Sequence, residues 1–256
     1  MKKLIDILLF VIAVSLVGCD NNKSLVLSET GENVDITAKV SSITEMTPLG
    51  IMYRSDFCHK QRIKSTGETY YEPGYHYIKM NYEYSKEDES YKIQVPRFGG
   101  GACRWKLSNV TIGIKNKVSS EFNEGRYEII PITEIVTFDG NSPQRLSGSY
   151  QDIDGDVVLD KDYFPMVTVR RDEGALKEKS FVRATPDVIF RTKNTKNILF
   201  SPRIHLAKVI YAVEPKVHKL GDYISVTYPD GTTESSPFFP DYKKIQSLLK
   251  KDNWSQ

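Results

Sequence analysis

Cysteine is scarce in this chain, at three in 256 residues, histidine is limited to four and tryptophan to two. The histidines, His59, His76, His205 and His218, lie far apart, with no His-x-x-x-His and no Cys-x-x-Cys. The usual zinc-ligand spacings are therefore missing. No serine sits in Gly-x-Ser-x-Gly, since "SGSYQ" around Ser149 lacks the closing glycine, so a nucleophile elbow is not encoded. Charge of one sign is also missing: 35 basic and 33 acidic residues are interleaved throughout. A nucleic-acid site needs a clustered basic stripe, and none is present. These gaps argue against an enzyme and against nucleic acid, and for a module that binds another protein.

The first residues are more explicit. Lys2 and Lys3 precede an apolar core over 8–17 that stops at Gly18, the layout of a secretory signal. The core is about ten residues long, well short of the roughly 20 that span hydrocarbon as a helix. Residues 1–18 are thus expected to be removed. At Leu16, Val17, Gly18 and Cys19 the sequence resembles the lipobox of bacterial lipoproteins, which implies cleavage before Cys19 and acylation of that residue. The alternative is an ordinary signal peptide with a chance cysteine. Two or more acyl chains, at roughly 0.8 kcal/mol per buried methylene, hold a protein at a membrane. The resemblance extends to Asp20, which looks like the sorting residue that keeps enteric lipoproteins on the periplasmic face of the inner membrane. The only covalent group so implied is the lipid on Cys19, and no cofactor or metal is expected.

Assigning Cys19 to lipid leaves Cys58 and Cys103, 45 positions apart, in an oxidising compartment. A disulfide between them would stabilise the fold by about 4 kcal/mol on the chain-entropy estimate; two buried thiols are the alternative.

Beyond a short tether at 19–24, strand signals dominate. In 75–84, Ile78, Met80, Tyr82 and Tyr84 take one parity and Tyr75, Tyr77, Lys79 and Asn81 the other, predicting a half-buried strand with Tyr82 and Tyr84 inward. "SKEDES" then turns the chain into "YKIQV", completing a hairpin. Further strand-like pieces fall at 127–130, 132–138, 157–159, 166–170, 181–183, 188–191, 204–213 and 223–228. One helix is predicted, over 242–251 after Pro240 and Asp241, with Tyr242, Ile245, Leu248 and Leu249 on one side. Many short strands point to a mainly β protein of antiparallel, sandwich-like domains with a short C-terminal helix. A polar seam rich in Gly, Ser and Asp at 138–156 divides it near Arg145 into β domains of 25–145 and 146–256. One domain with a long excursion is the competing reading.

Two stretches invite chemistry. "FGGGACRWKL" at 98–107 has three glycines, but no Gly-Lys-Ser/Thr follows, so a phosphate loop is not encoded. A tight turn into a strand with Cys103, Trp105 and Leu107 on one face is expected, with a change of parity near Ser108 and Asn109. "DIDGDVVLDKD" places Asp152, Asp154, Asp156, Asp160 and Asp162 close together. An EF-hand loop starting at Asp152 would need glycine at Val157 and glutamate at Tyr163, which leaves a solvated turn or an irregular calcium site.

"YYEPGYHYIKMNYEY" is the most interface-like stretch. Tyrosine supplies large contact area at low entropic cost and is enriched at interfaces, so Tyr70, Tyr71, Tyr75 and Tyr77 are the candidate partner-binding residues. The lipobox with Asp20, the β-rich body and "GGGACRWKLSNVTIGI" at 99–114 together resemble the immunity lipoproteins that accompany type VI secretion phospholipase effectors in enteric bacteria. The resemblance implies a membrane-anchored periplasmic protein whose partner is a cognate lipase, which it binds and neutralises. An envelope or secretion-machine assembly lipoprotein is the alternative.

Overall fold

The structure is a computed structural model and describes residues 24–28, 30–117, 127–141, 149–171, 176–217, 219–237 and 239–250. Cys19, Asp20, Arg145 and His218 lie outside these. The chain is mainly β, with one short C-terminal helix among the described residues, as expected. In chain order the strands are β1 (Asn33–Ala38), β2 (Thr44–Met46), β3 (Leu49–Ile63), β4 (Thr69–Met80), β5 (Glu83–Ser85), β6 (Ser90–Pro96), β7 (Phe98–Gly100), β8 (Trp105–Asn116), β9 (Tyr127–Ile129) and β10 (Ile132–Phe138). Then follow β11 (Ser149–Asp154), β12 (Val157–Leu159), β13 (Asp162–Arg170), β14 (Leu176–Arg183), β15 (Val188–Lys193) and β16 (Asn197–Phe200). The last are β17 (Arg203–Ile204), β18 (Ile210–Val213), β19 (Ile224–Thr227) and β20 (Thr233–Ser236), and the helix is α1 (Tyr242–Lys250).

Among the described residues the strands form three sheets, ordered β12-β16-β1-β6-β5, β11-β15-β10-β8-β3-β4 with β2 and β7 on β8, and β20-β19-β18-β13-β14-β9 with β17 on β13. The sheets are mixed rather than purely antiparallel. β1 runs parallel to β16 from Asp35↔Asn197 to Ala38↔Phe200, and β10 runs parallel to β15 from Ile135↔Ile189 to Phe138↔Thr192. Each of these pairs joins a strand before position 145 to one after it. Parallel neighbours require long crossovers, which is how sequence-distant segments share a sheet here.

The chain forms two compact units, neither continuous in sequence. The smaller comprises the described residues up to Glu32 with Tyr53–His76 and Pro96–Leu107; the larger comprises Asn33–Met52, Tyr77–Val95 and the described residues from Ser108 onward. Strands β3, β4 and β8 each contribute residues to both. The apolar parity on β8 changes at the boundary: Trp105 and Leu107 are buried before it, Val110, Ile112 and Ile114 after it, and both Ser108 and Asn109 are buried between them.

In the larger unit, α1 caps a core of Phe164, Val182, Ala184, Ile210, Val226, Tyr228, Ile245 and Leu248. Ile245 and Leu248 are three apart and so share one helix face; burying such a side chain is worth about 1.5–3 kcal/mol. Asp241 starts the helix: its Oδ1 accepts the backbone N–H groups of Lys243 (2.9 Å) and Lys244 (3.2 Å), which satisfies two of the donors a helix start leaves unpaired.

A buried polar cluster sits in the same unit. Glu134 on β10 is 2% exposed. Its Oε1 accepts from the Tyr163 hydroxyl on β13 and from Arg183 Nε on β14, each at 2.5 Å, while Lys161 Nζ stands 3.4 Å from Oε2. Arg183 also donates to the Thr133 carbonyl and pairs with Asp187. A carboxylate this buried persists only when paired and hydrogen-bonded, and burial beside Glu134 pushes the Tyr163 phenol well above its ordinary range.

The expected hairpin between 75–84 and 91–95 is shorter than its sequence signal. The register is Glu83↔Lys92, Tyr84↔Tyr91 and Ser85↔Ser90, so the hairpin joins β5 to β6, with Glu89 in the left-handed region at φ 51°. β4 breaks off at Met80 and belongs to another sheet. The inward placement of Tyr84 is corrected by this break: it is 51% exposed and packs its ring against that of Tyr91, at 4.9 Å between centroids. Tyr82 is half-buried, and burial raises its phenol.

Candidate protein-binding surface

The smaller unit is built around Trp105. Cys103, Trp105 and Leu107 are buried, as their shared parity predicts. The turn leading into β8 uses positive φ at Gly100 (53°), Gly101 (66°) and Arg104 (49°), a conformation glycine adopts without strain. Gly99 has a different reason: any side chain there would collide with Leu25 and with Trp105. Tyr53, fully buried, donates its hydroxyl to the Pro96 carbonyl at 2.7 Å. Ser55 Oγ donates to the Cys103 carbonyl and accepts the N–H groups of Phe57 (3.1 Å) and Cys58 (3.0 Å).

Cys58 and Cys103 are joined, with their Cα atoms 5.3 Å apart. The bond fixes β3 to the 101–104 turn. Beyond it the hairpin of β3 and β4 leaves the core: residues 59–71 are exposed without interruption. Its tip closes through Lys64 N–H to the Glu68 carbonyl (2.8 Å) and Gly67 N–H to the Lys64 carbonyl (2.9 Å), with Gly67 at φ 85°. An isolated two-stranded ribbon is marginally stable in water, so the covalent staple at its base matters.

The four tyrosines chosen from sequence occupy distinct settings. Tyr71 is 66% exposed on the arm. Tyr70, also exposed, donates its hydroxyl to Glu72 Oε1 at 3.3 Å. Tyr75 is half-buried at the base, with Lys60 Nζ 3.6 Å from its ring centroid and its hydroxyl 3.5 Å from Arg62 Nη2. Those two cations draw its phenol below the ordinary value. Arg62 Nε reaches Glu72 at 3.1 Å, so the two strands are also linked by charge. Tyr70, Tyr71 and Tyr75 thus belong to one stapled arm, whereas Tyr77 lies in the larger unit, 49% exposed, with its ring against Gly50. Sequence reasoning missed Phe57 (57% exposed), Ile63 (69%) and Phe98 (52%), because alternation assigns such residues to a core by default.

The aspartates of 152–162 are each engaged within the chain. Asp152 meets Arg191 through two bonds of 2.7 Å, and Asp154 accepts from Asn194 Nδ2 at 2.9 Å. Asp156 accepts the backbone N–H groups of Lys196 (2.9 Å) and Asn197 (2.7 Å), and Arg203 bridges Asp160 and Asp162. Among the described residues no group of three or more His, Cys, Asp or Glu side chains is arranged to hold a metal ion. The segment is not one turn: it holds the end of β11, a turn at Gly155 (φ 96°), β12 and the first residue of β13.

No family model, no curated protein and no solved structure matches this chain.

Proposed function

We propose that the mature chain is a lipid-tethered periplasmic immunity protein that captures a cognate phospholipase and blocks its activity at the inner membrane. The observation that carries this reading is the stapled arm: a ribbon exposed on both faces over 59–71, bearing Tyr70 and Tyr71, and fastened at its base by Cys58 and Cys103. Rigid aromatic side chains on a preorganised element are what a binding surface needs, because less freedom is lost on association. The exported, oxidising setting implied by the lipobox is the one in which that staple persists. A lipid on Cys19 would raise the inhibitor's effective concentration at the bilayer where a phospholipase works.

The test is a deletion strain challenged by neighbouring cells that secrete phospholipase effectors. Loss of the gene should expose the strain to killing, with lysed phospholipid as the signature; the wild-type copy should rescue, and a Tyr70→Ala/Tyr71→Ala copy should rescue poorly. Survival of the deletion strain alongside a defect in its own envelope assembly would instead favour the assembly-factor reading.

A further inference from the structure

The smaller unit carries a second exposed surface, separate from the tip of the arm. Phe98 pairs with Lys106 across β7 and β8, so both side chains lie on the same outward face, opposite the face where Gly99 meets Trp105. Phe98 is 52% exposed and Lys106 is exposed. Val26, 58% exposed, is held beside them by its N–H donating to the Gly99 carbonyl at 2.7 Å. Segment 96–107 contains Arg97, Arg104 and Lys106 and no acidic residue. Across the described residues of this unit there are seven Lys or Arg against four Asp or Glu, an imbalance that the near-neutral whole chain conceals.

Exposed aromatic and aliphatic side chains interleaved with cations are the composition of a surface that rests in the headgroup layer. The rings and methyls enter the acyl boundary and the cations meet anionic phosphates. The chain's path favours the bilayer over other occupants. Leu25 packs over Gly99, and Val26 is bonded to it, so this unit is where the N-terminal segment docks. Six residue steps separate Cys19 from Leu25, a reach of at most about 20 Å. A lipid on Cys19 therefore leaves this surface no further from the headgroups than that.

We infer that the surface formed by Val26, Phe98 and Lys106 is a membrane-contact face that seats the smaller unit on anionic phospholipid. The inference rests on the lipid-tethered reading only for proximity, since the surface itself is tested without the lipid. Such a face would orient the tethered protein instead of leaving it to tumble on its leash.

The experiment uses chain 20–256, unacylated and oxidised, which retains every described residue. It is co-sedimented with phosphatidylethanolamine–phosphatidylglycerol vesicles and, separately, with neutral phosphatidylcholine vesicles. Binding to the anionic vesicles that weakens with salt and is reduced by Lys106→Glu on the order of tenfold, and comparably by Phe98→Ser, is the expected result. Both positions are exposed, and an unchanged thermal midpoint verifies that each variant folds. Absence of wild-type binding to anionic vesicles overturns the inference. So does unaltered vesicle binding by variants that have lost affinity for a protein partner, which would make the surface a protein interface. Lipidation is followed independently, by incorporation of labelled palmitate that Cys19→Ala should abolish, so failure of the anchor and failure of the face are distinguished.

Discussion

Glu134 and Arg183 face each other in the interior of the larger unit with Oε1 and Nε 2.5 Å apart, at 2% and 11% side-chain exposure. Truncating one partner would leave the other charge buried without its mate. Glu134→Ala should therefore cost about 3–5 kcal/mol of unfolding free energy, measured by urea denaturation. The double replacement Glu134→Leu/Arg183→Leu should cost less than the two single losses added together.

Reducing the bond between Cys58 and Cys103, or replacing both residues by alanine, should lower stability by about 4 kcal/mol if the closed loop acts chiefly on the unfolded chain. The loss should appear as a lower denaturation midpoint in the presence of reductant. Limited proteolysis should then cut first within 59–71, where neither face of the hairpin is covered.

The acid limb of stability should carry an Asp162 signature. Burial alone would raise this carboxyl, but hydrogen bonds from Arg203 and His205 outweigh it and hold its pKa below the ordinary value. A folded pKa lower than the unfolded one contributes stability that is present at neutral pH and fades as pH falls below about 4. Asp162→Asn should be less stable than wild type at pH 7, and the two denaturation midpoints should converge on acidification.

Removing the helix cap with Asp241→Ala should cost about 1 kcal/mol, because the Lys243 and Lys244 N–H groups lose their acceptor. Leu248→Ala, which opens a void against Phe164 and Val226, should cost more, about 2–5 kcal/mol. Thermal midpoints of the two variants should preserve that order.

Much of the β architecture was legible because alternation is a local property. Residues 132–138 and 157–159 read as strands and are strands, and the helix was announced by Asp241 followed by Ile245 and Leu248. Pairing was not legible: nothing local to Asp35 shows that it lies opposite Asn197. β3 escaped notice altogether; its distal half, "DFCHKQRI", is exposed on both faces and so has no buried parity to display. Tyr84 misled for a related reason, since its alternation with Ile78 and Met80 holds only if the strand is continuous, and the chain leaves the strand after Met80. Of the candidate surface, the tyrosines were visible as composition, but the staple that gathers Tyr70, Tyr71 and Tyr75 onto one arm, with Tyr77 outside it, is a tertiary fact.

If the arm is the capture surface, Tyr71→Ala should weaken partner binding by roughly tenfold or more while leaving unfolding unchanged, as expected of an exposed aromatic anchor. Tyr84→Ala, also an exposed tyrosine but on the β5–β6 hairpin, serves as the control and should leave affinity intact. Calorimetric titration of both variants with the purified partner separates the two positions.

The most direct test of immunity is to immobilise oxidised chain 20–256, recover what it retains from lysate of a strain expressing phospholipase effectors, and titrate the soluble protein into that enzyme's lipid-hydrolysis assay. Stoichiometric loss of phospholipase activity, with the enzyme identified by mass spectrometry, is the predicted result. A retained phospholipase that keeps full activity at saturating protein, or retention of envelope-assembly components with no phospholipase, would contradict it.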